Sequence, residues 1–255
     1  MKISRIFIYP VKSLAGISLE SSKVLQKGLE LDRRWMLMNS ENQFMTQREY
    51  PKMTLIKTGI VDGMLELSYN GSSIRVDPSR VEEENEVNVW DDHFPAFESD
   101  PEVNDWISEQ LDLRCRLVHM KEDRTVRTKL DRPVSFADGY PFLVLGESSM
   151  EDLNQRLDEP LSILRFRPNI VFEGGEPFEE DHWKRFRIGN LEFEGVKPCV
   201  RCTLTTVDPE TSEKGVEPLR TLSTYRKIDN GVIFGLNAFA SEEGIISVGD
   251  SVIKL

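Results

Sequence analysis

The 255-residue sequence lacks any apolar stretch long enough to span a membrane, holds only three cysteines and three histidines, and carries fewer basic than acidic residues. It also has no glycine-rich loop of the P-loop or dinucleotide type, no serine elbow, and no histidine pair at helical metal-binding spacing. Nucleotide-dependent and hydrolase readings therefore lose ground. With 32 Lys and Arg against 44 Asp and Glu, the net charge of −12 disfavours general binding to nucleic acid or to an anionic membrane. Any cluster of cations is then a local device. An odd, small number of cysteines does not resemble a disulfide framework. The opening residues Met1 to Pro10 alternate and stop at proline, so they read as a strand and not as the apolar core of a signal peptide, and a cytoplasmic protein is expected.

What is present is ordinary for a globular chain: 39% hydrophobic and 30% charged residues, in a length that suits one large domain or two small ones. Short alternating runs dominate, at Ile3 to Tyr9, Trp35 to Met38 and Thr54 to Ile60, so the expected class is mainly β (α+β). Leu65 to Tyr69 and Ile74 to Val76 flank Asn70-Gly71, a pair that accepts the positive φ angles of a tight hairpin. Ile245 to Val248, Gly249-Asp250 and Ser251 to Leu255 repeat that pattern and suggest a sheet closed at its end.

Helices are expected to be few. Asp100-Pro101 starts one with Val103, Trp106, Ile107 and Leu111 as its apolar stripe, Ser148 and Glu151 form a capping-box pattern before Leu153 and Leu157, and a third runs from Pro218 through Tyr225. The polar stretch Lys121 to Pro133 is the best seam, dividing the chain at 1–122 and 123–255.

Cys199-Val200-Arg201-Cys202 is the segment richest in chemistry. A thioredoxin-type disulfide wants its pair opening a helix, whereas β-like residues stand on both sides here, Leu191 to Glu194 before and Thr203 to Val207 after. Structural zinc wants four ligands, for which Cys115 and His119 are the further candidates. A third use needs one thiolate only: a soft ligand for a sulfur-loving metal, with Arg201 beside it favouring the anion. Plain packing in a barrel wall stands against all three.

Cations recur beside strand-forming residues, in Tyr9-Pro10-Val11-Lys12-Ser13, Asp32-Arg33-Arg34-Trp35, Thr46-Gln47-Arg48 and Arg165-Phe166-Arg167-Pro168-Asn169. Guanidinium forks bind phosphate through paired hydrogen bonds, so several in an acidic chain fit a phosphorylated cofactor, although each alone is usually a solvated surface group. His93 beside Asp91 and Asp92, His182 beside Asp181, and the run Glu82-Glu83-Glu84 read as solvated surface or loop.

In this order, joined by Asp138-Gly139-Tyr140-Pro141-Phe142 and by Cys199 through Pro209, the segments resemble the MOSC family with its β-rich N-terminal companion domain, over nearly the whole chain. Within it the likeness is to amidoxime-reducing components and to bacterial proteins that detoxify N-hydroxylated bases. The resemblance implies a small N-terminal β domain packed against a β-barrel, and a molybdenum cofactor (molybdopterin) between the two. It implies Cys202 as the metal's thiolate and the catalytic residue, Lys12, Ser13, Arg33, Arg167, Asn169 and Arg201 as cofactor contacts, and Cys199 in support. The expected activity is reduction of N-hydroxylated small molecules to amines. Because the chain stops at Leu255 without the cysteine-rich iron–sulfur domain of some relatives, a separate electron-donor protein is expected. The alternative is a cofactor or persulfide-sulfur carrier without turnover. Pyridoxal phosphate binding is carried as an accompanying expectation.

Overall fold

The computed structural model describes residues 1–77, 79–89, 92–120, 126–127 and 132–255. They form a mainly β molecule, with α-helices at Pro101–Leu111, Glu147–Asn154 and Leu219–Ser223 among the described residues. The largest sheet runs in the order Lys2–Ile8, Ile170–Glu173, Phe142–Gly146, Gly231–Ala240, Leu191–Arg201, Arg185–Ile188 and Val252–Lys254. Its last strand returns to its first. Lys2 bridges Ser251, Ile3 N donates to Asp250 O at 2.9 Å, and Val252 N donates to Met1 O at 2.9 Å, so the sheet closes as a barrel.

Alternation explains how these strands serve two cores. Ile6, Ile8, Ile170 and Phe172 face one side, where Phe142, Trp183, Phe186 and Phe193 fill the interior. Phe7, Tyr9 and Val171 face the other, against the turns and short helices around Met150, Phe166 and Leu222. The interior rings touch in series, with centroids 4.7 Å apart for Phe172–Trp183, 5.2 Å for Trp183–Phe186 and 5.3 Å for Phe186–Phe193. Each pair contributes roughly 0.5–1.5 kcal/mol beyond its area burial. Gly195 is required there, because a Cβ would stand 2.1 Å from the carbonyl oxygen of Trp183.

A second β unit stands beside the barrel. Trp35–Asn39, Cys115–His119, Asp92–Ser99 and Val81–Val89 form one sheet, and Lys57–Val61, Met64–Tyr69 and Ser72–Val76 another. Trp35, Leu37, Met53, Leu65, Ile107 and Leu117 belong to the core between them. Asn70 and Gly71 turn the expected hairpin with φ of 49° and 79°. Asp100 caps the expected helix by accepting from Glu102 N at 3.0 Å.

Some expectations fail for identifiable reasons. Thr54 belongs to the 3-10 turn Pro51–Leu55, and the strand starts only at Lys57. Ser148 does not cap its helix: Gly146 is the N-cap, and its N–H donates to Glu180 Oε1 at 3.1 Å. The third helix ends at Ser223, short of Tyr225. Glu82 to Glu84 lie in a strand and not a loop, with Glu84 opposite Phe97. The C-terminal runs are not each other's partners: Gly244–Ser247 pairs with Ser21–Leu25, and Val252–Lys254 with Arg185–Ile188. Thr203–Thr206 is a 3-10 turn and not a strand.

Lys2–Ile8 pairs with Ile170–Glu173 and Ser21–Leu25 with Gly244–Ser247, so strand pairing crosses the 122/123 division of the chain. Most of the seam around that division (121–125 and 128–131), Asp91 and the side chain of His93 lie outside the described residues. His182 is exposed, as expected.

Candidate functional site

Where the barrel meets the second unit, a pocket of about 380 Å³ is lined by Lys12, Ser13, Arg33, Arg167, Asn169, Arg201 and Cys202, together with Arg48, Asp138, Tyr140, Lys197, Cys199 and Asn237 among others. All seven site residues singled out from the sequence thus converge. Two of the flagged guanidiniums do not: buried Arg34 donates to Asp32 O at 2.6 Å, and Arg165 pairs with Asp208 at 2.6 Å.

Loops sewn to strands carry the cations. Lys12 N donates to Trp35 O at 2.8 Å, Trp35 N to Pro10 O at 3.1 Å, and Arg33 N to Tyr9 O at 2.9 Å, so the turns after two strands share one seam. Ser13, Arg33 and Arg167 hold left-handed backbone, with φ of 69°, 51° and 54°. Non-glycine residues rarely do so, and three of them in one pocket is the kind of strain that collects at functional sites. Buried Asn169 ties the halves together: its Oδ1 accepts from Arg33 Nη1 at 3.1 Å and from Leu143 N at 3.2 Å, and its Nδ2 donates to Phe7 O at 3.3 Å.

The cysteines arrive on an irregular strand. The ladder between Leu191–Arg201 and Gly231–Ala240 slips at Gly195/Lys197 and again at Pro198/Val200, and Gly235, in the second slip, has φ of 78°. Such bulges re-aim side chains, and here Lys197, Cys199 and Arg201 all reach the pocket. Cys202 then leaves the strand as the exposed N-cap of the 3-10 turn, with its carbonyl accepting from Thr205 Oγ1 at 3.0 Å.

The electrostatics are one-sided. Six lining residues are cationic and one, Asp138, is acidic. Burial pulls the Lys12 ammonium below its usual range, an effect that its ion pair with Asp138 opposes. Burial, and then Arg33, pull Arg167 down to about 10, so it stays charged at neutral pH. Arg33 pairs with fully buried Asp32. Arg167 Nη1 donates to Leu14 O at 2.7 Å, yet its Nη2, like Arg201 Nε, is buried with no hydrogen-bond partner among the described residues. Unpaired buried donors beside a cavity suit an anion.

Each thiol has its own guanidinium. Arg201 Nη1 lies 3.0 Å from Cys199 Sγ, while Arg48 Nη1, brought from the second unit, lies 3.7 Å from Cys202 Sγ. Arg201, expected beside the ligating thiol, thus stands against Cys199, and the guanidinium near Cys202 is that of Arg48. Cys115 stands apart in the second unit opposite Asn39, its thiol pushed up to about 11 by burial. Among the described residues no group of three or more His, Cys, Asp or Glu side chains could hold a metal ion, which overturns the zinc alternative. Lys197, Tyr140 and Asn237 were missed as lining residues; the motif Asp138 to Phe142 was the one signal for Tyr140.

The family model for the MOSC N-terminal beta barrel domain matches residues 1–114, and that for the MOSC domain matches residues 131–253. Mitochondrial amidoxime-reducing component 1 of Mus musculus is 33% identical over 278 residues, covering 99% of this chain and 82% of the relative, and that of Homo sapiens is 33% identical with the same coverage. Molybdenum cofactor sulfurase of Oryza sativa subsp. japonica is 32% identical over 263 residues, covering 92% of this chain but 32% of the relative, so the chain spans about a third of that protein.

Proposed function

Since the chain belongs to the MOSC family, we propose that it is a molybdenum-cofactor-dependent reductase that converts N-hydroxylated small molecules to amines. The observation that carries this reading is the exposed thiol of Cys202 at a pocket whose lining is cationic. The residues fit the cofactor. Its phosphate suits Lys12, Arg33 and Arg167, where a buried guanidinium nitrogen lacks a partner, and a soft thiolate at Cys202 suits molybdenum. When bound, the cofactor supplies two-electron redox chemistry that no side chain of this protein provides.

The chain's own residues bind and orient. Lys12, Arg33 and Arg167 hold the anionic end, with Ser13 lining the pocket beside them and Asn169 tying the loop of Arg33 to the strands behind it. Cys202 fixes the metal, Arg48 Nη1 stands beside its sulfur at 3.7 Å, and Arg201 fastens Cys199 to the pocket wall through Phe166 O at 2.7 Å. The open mouth beside Lys197 and Tyr140 admits substrate. Electrons come from a separate donor protein, and the compartment is the cytoplasm. Among the described residues no helix is long and apolar enough to cross a membrane, while the relatives above include mitochondrial proteins. The comparisons give no support to pyridoxal phosphate binding.

Likeness to a sulfurase favours one other reading, a carrier of cofactor or sulfur. Protein from a molybdate-supplied, cofactor-competent host should contain near-equimolar molybdenum and reduce a simple amidoxime with a chemical electron donor. Cys202→Ala should do neither or hold inert metal. Molybdenum without turnover supports the carrier, and folded wild type without molybdenum sinks both cofactor readings.

A further inference from the structure

Tyr9 lies behind the pocket, and its ring is shared by two of the pocket's guanidiniums. Arg33 Cζ is 4.7 Å from the ring centroid and Arg167 Cζ is 4.1 Å from it. Two like charges this close repel, and Arg33 is among the causes that pull Arg167 down. An aromatic face attracts cations, so a ring in contact with both opposes that repulsion and fixes where they stop. The backbone fastens the ring to one of them: Tyr9 N donates to Asp32 Oδ1 at 2.8 Å, and Asp32 Oδ2 accepts from Arg33 Nη1.

Two details separate the ring from the hydroxyl. The hydroxyl is buried and has no hydrogen-bond partner among the described residues, so it contributes no bond that phenylalanine would lose. The ring edge, in contrast, is tightly bounded. A Cβ built at exposed Gly16 would stand 2.5 Å from Tyr9 Cε1, so any side chain there displaces the ring.

We propose that Tyr9 is the positioning residue of this anion site: its ring, seated against the bare backbone of Gly16, holds Arg33 and Arg167 convergent so that they grip one phosphate group together. The inference rests on the reading of the pocket as the seat of a phosphate-bearing cofactor, and it concerns how the chain's own side chains are held for that group.

The test uses the full chain, with inorganic phosphate as the probe in calorimetry of cofactor-free protein, molybdenum content of protein from a cofactor-competent host, and thermal unfolding as the control. Tyr9→Leu is expected to weaken phosphate binding at least tenfold and to lose most of the molybdenum while unfolding cooperatively, and Tyr9→Phe, which keeps the ring, to recover both. If Tyr9→Leu does not fold, Gly16→Ala moves the ring from outside and is expected to weaken phosphate severalfold. Equal phosphate affinity in wild type and in the folded ring-disturbing variants would overturn the proposal. So would a Tyr9→Phe as weak as Tyr9→Leu, or a wild type that does not bind phosphate. Ring-dependent phosphate binding by a wild type without molybdenum would leave the role of Tyr9 standing and remove the cofactor reading alone.

Discussion

Phe193 and Cys199 share one strand and meet opposite demands. Phe193 is 1% exposed, stacked at 5.3 Å on Phe186 and edge-on at 5.5 Å to Phe142, in a stretch where the ladder is regular. Cys199 follows one slip of the ladder and lies inside the second, half-buried, with a guanidinium at 3.0 Å. The barrel interior is specified by alternation and density, and neighbouring residues agree about what each position wants. The pocket is specified by departures from those rules: bulges, left-handed backbone at Ser13, Arg33 and Arg167, and buried donors left unpaired. Stability resides in the first and binding in the second.

The comparison breaks if the interior proves tolerant. Phe193→Ala is expected to remove about 3–5 kcal/mol of folding free energy, measured by chemical denaturation, through lost burial and a cavity. A loss below about 1 kcal/mol would show that the interior is not where stability lies. Conversely, Arg167→Ala should cut molybdenum content about tenfold or more while changing unfolding free energy by roughly 1 kcal/mol or less, since it also removes a buried like charge beside Arg33.

The thiols sharpen the contrast. Iodoacetamide at pH 8 is expected to label Cys202 and spare native Cys115, as followed by peptide mass. Because burial raises the Cys115 pKa from an ordinary 9.0 to about 11, its contribution to stability is whole below pH 9 and is lost as pH rises through 11. Labelling of Cys115 at pH 8 without unfolding would contradict its placement. The smallest effect is expected at Ser13→Gly, which relieves a left-handed serine and should raise stability by about 0.5–1 kcal/mol in thermal unfolding while cofactor content stays within twofold.

Local chemistry made much of this readable beforehand. Alternation in Ile3 to Tyr9, the turn at Asn70-Gly71 and the cap at Asp100 depend on adjacent residues, and each formed as expected. Pairing partners do not depend on adjacent residues. Nothing in Gly244–Ser247 points to Ser21–Leu25, and the Ser148 capping pattern lost to Glu180, a carboxylate from a later turn that reached Gly146 N first. Glu82 to Glu84 looked like a loop because a strand paired through its backbone needs no apolar alternation to form its ladder.

At the site, the guanidinium groups and the cysteine pair stood out by residue type, and the family resemblance named which of them share one pocket. The division of the two thiols between Arg48 and Arg201 was not, since it depends on where the ladder slips. Tyr9 went unnoticed as a residue because its part is to touch two other side chains and not the cavity.

The pocket's walls come from the turns at Lys12, Arg33 and Arg48 on one side of the chain and from Arg167, Asn169 and Cys202 on the other. A cavity assembled in this way exists only after distant stretches of polypeptide have met. An anion seated in it behaves as a staple across the joint, its binding free energy added to the stability of the whole and to neither half alone. Uptake of such an anion would then mark a finished molecule, since a chain with one part unfolded has no pocket to fill.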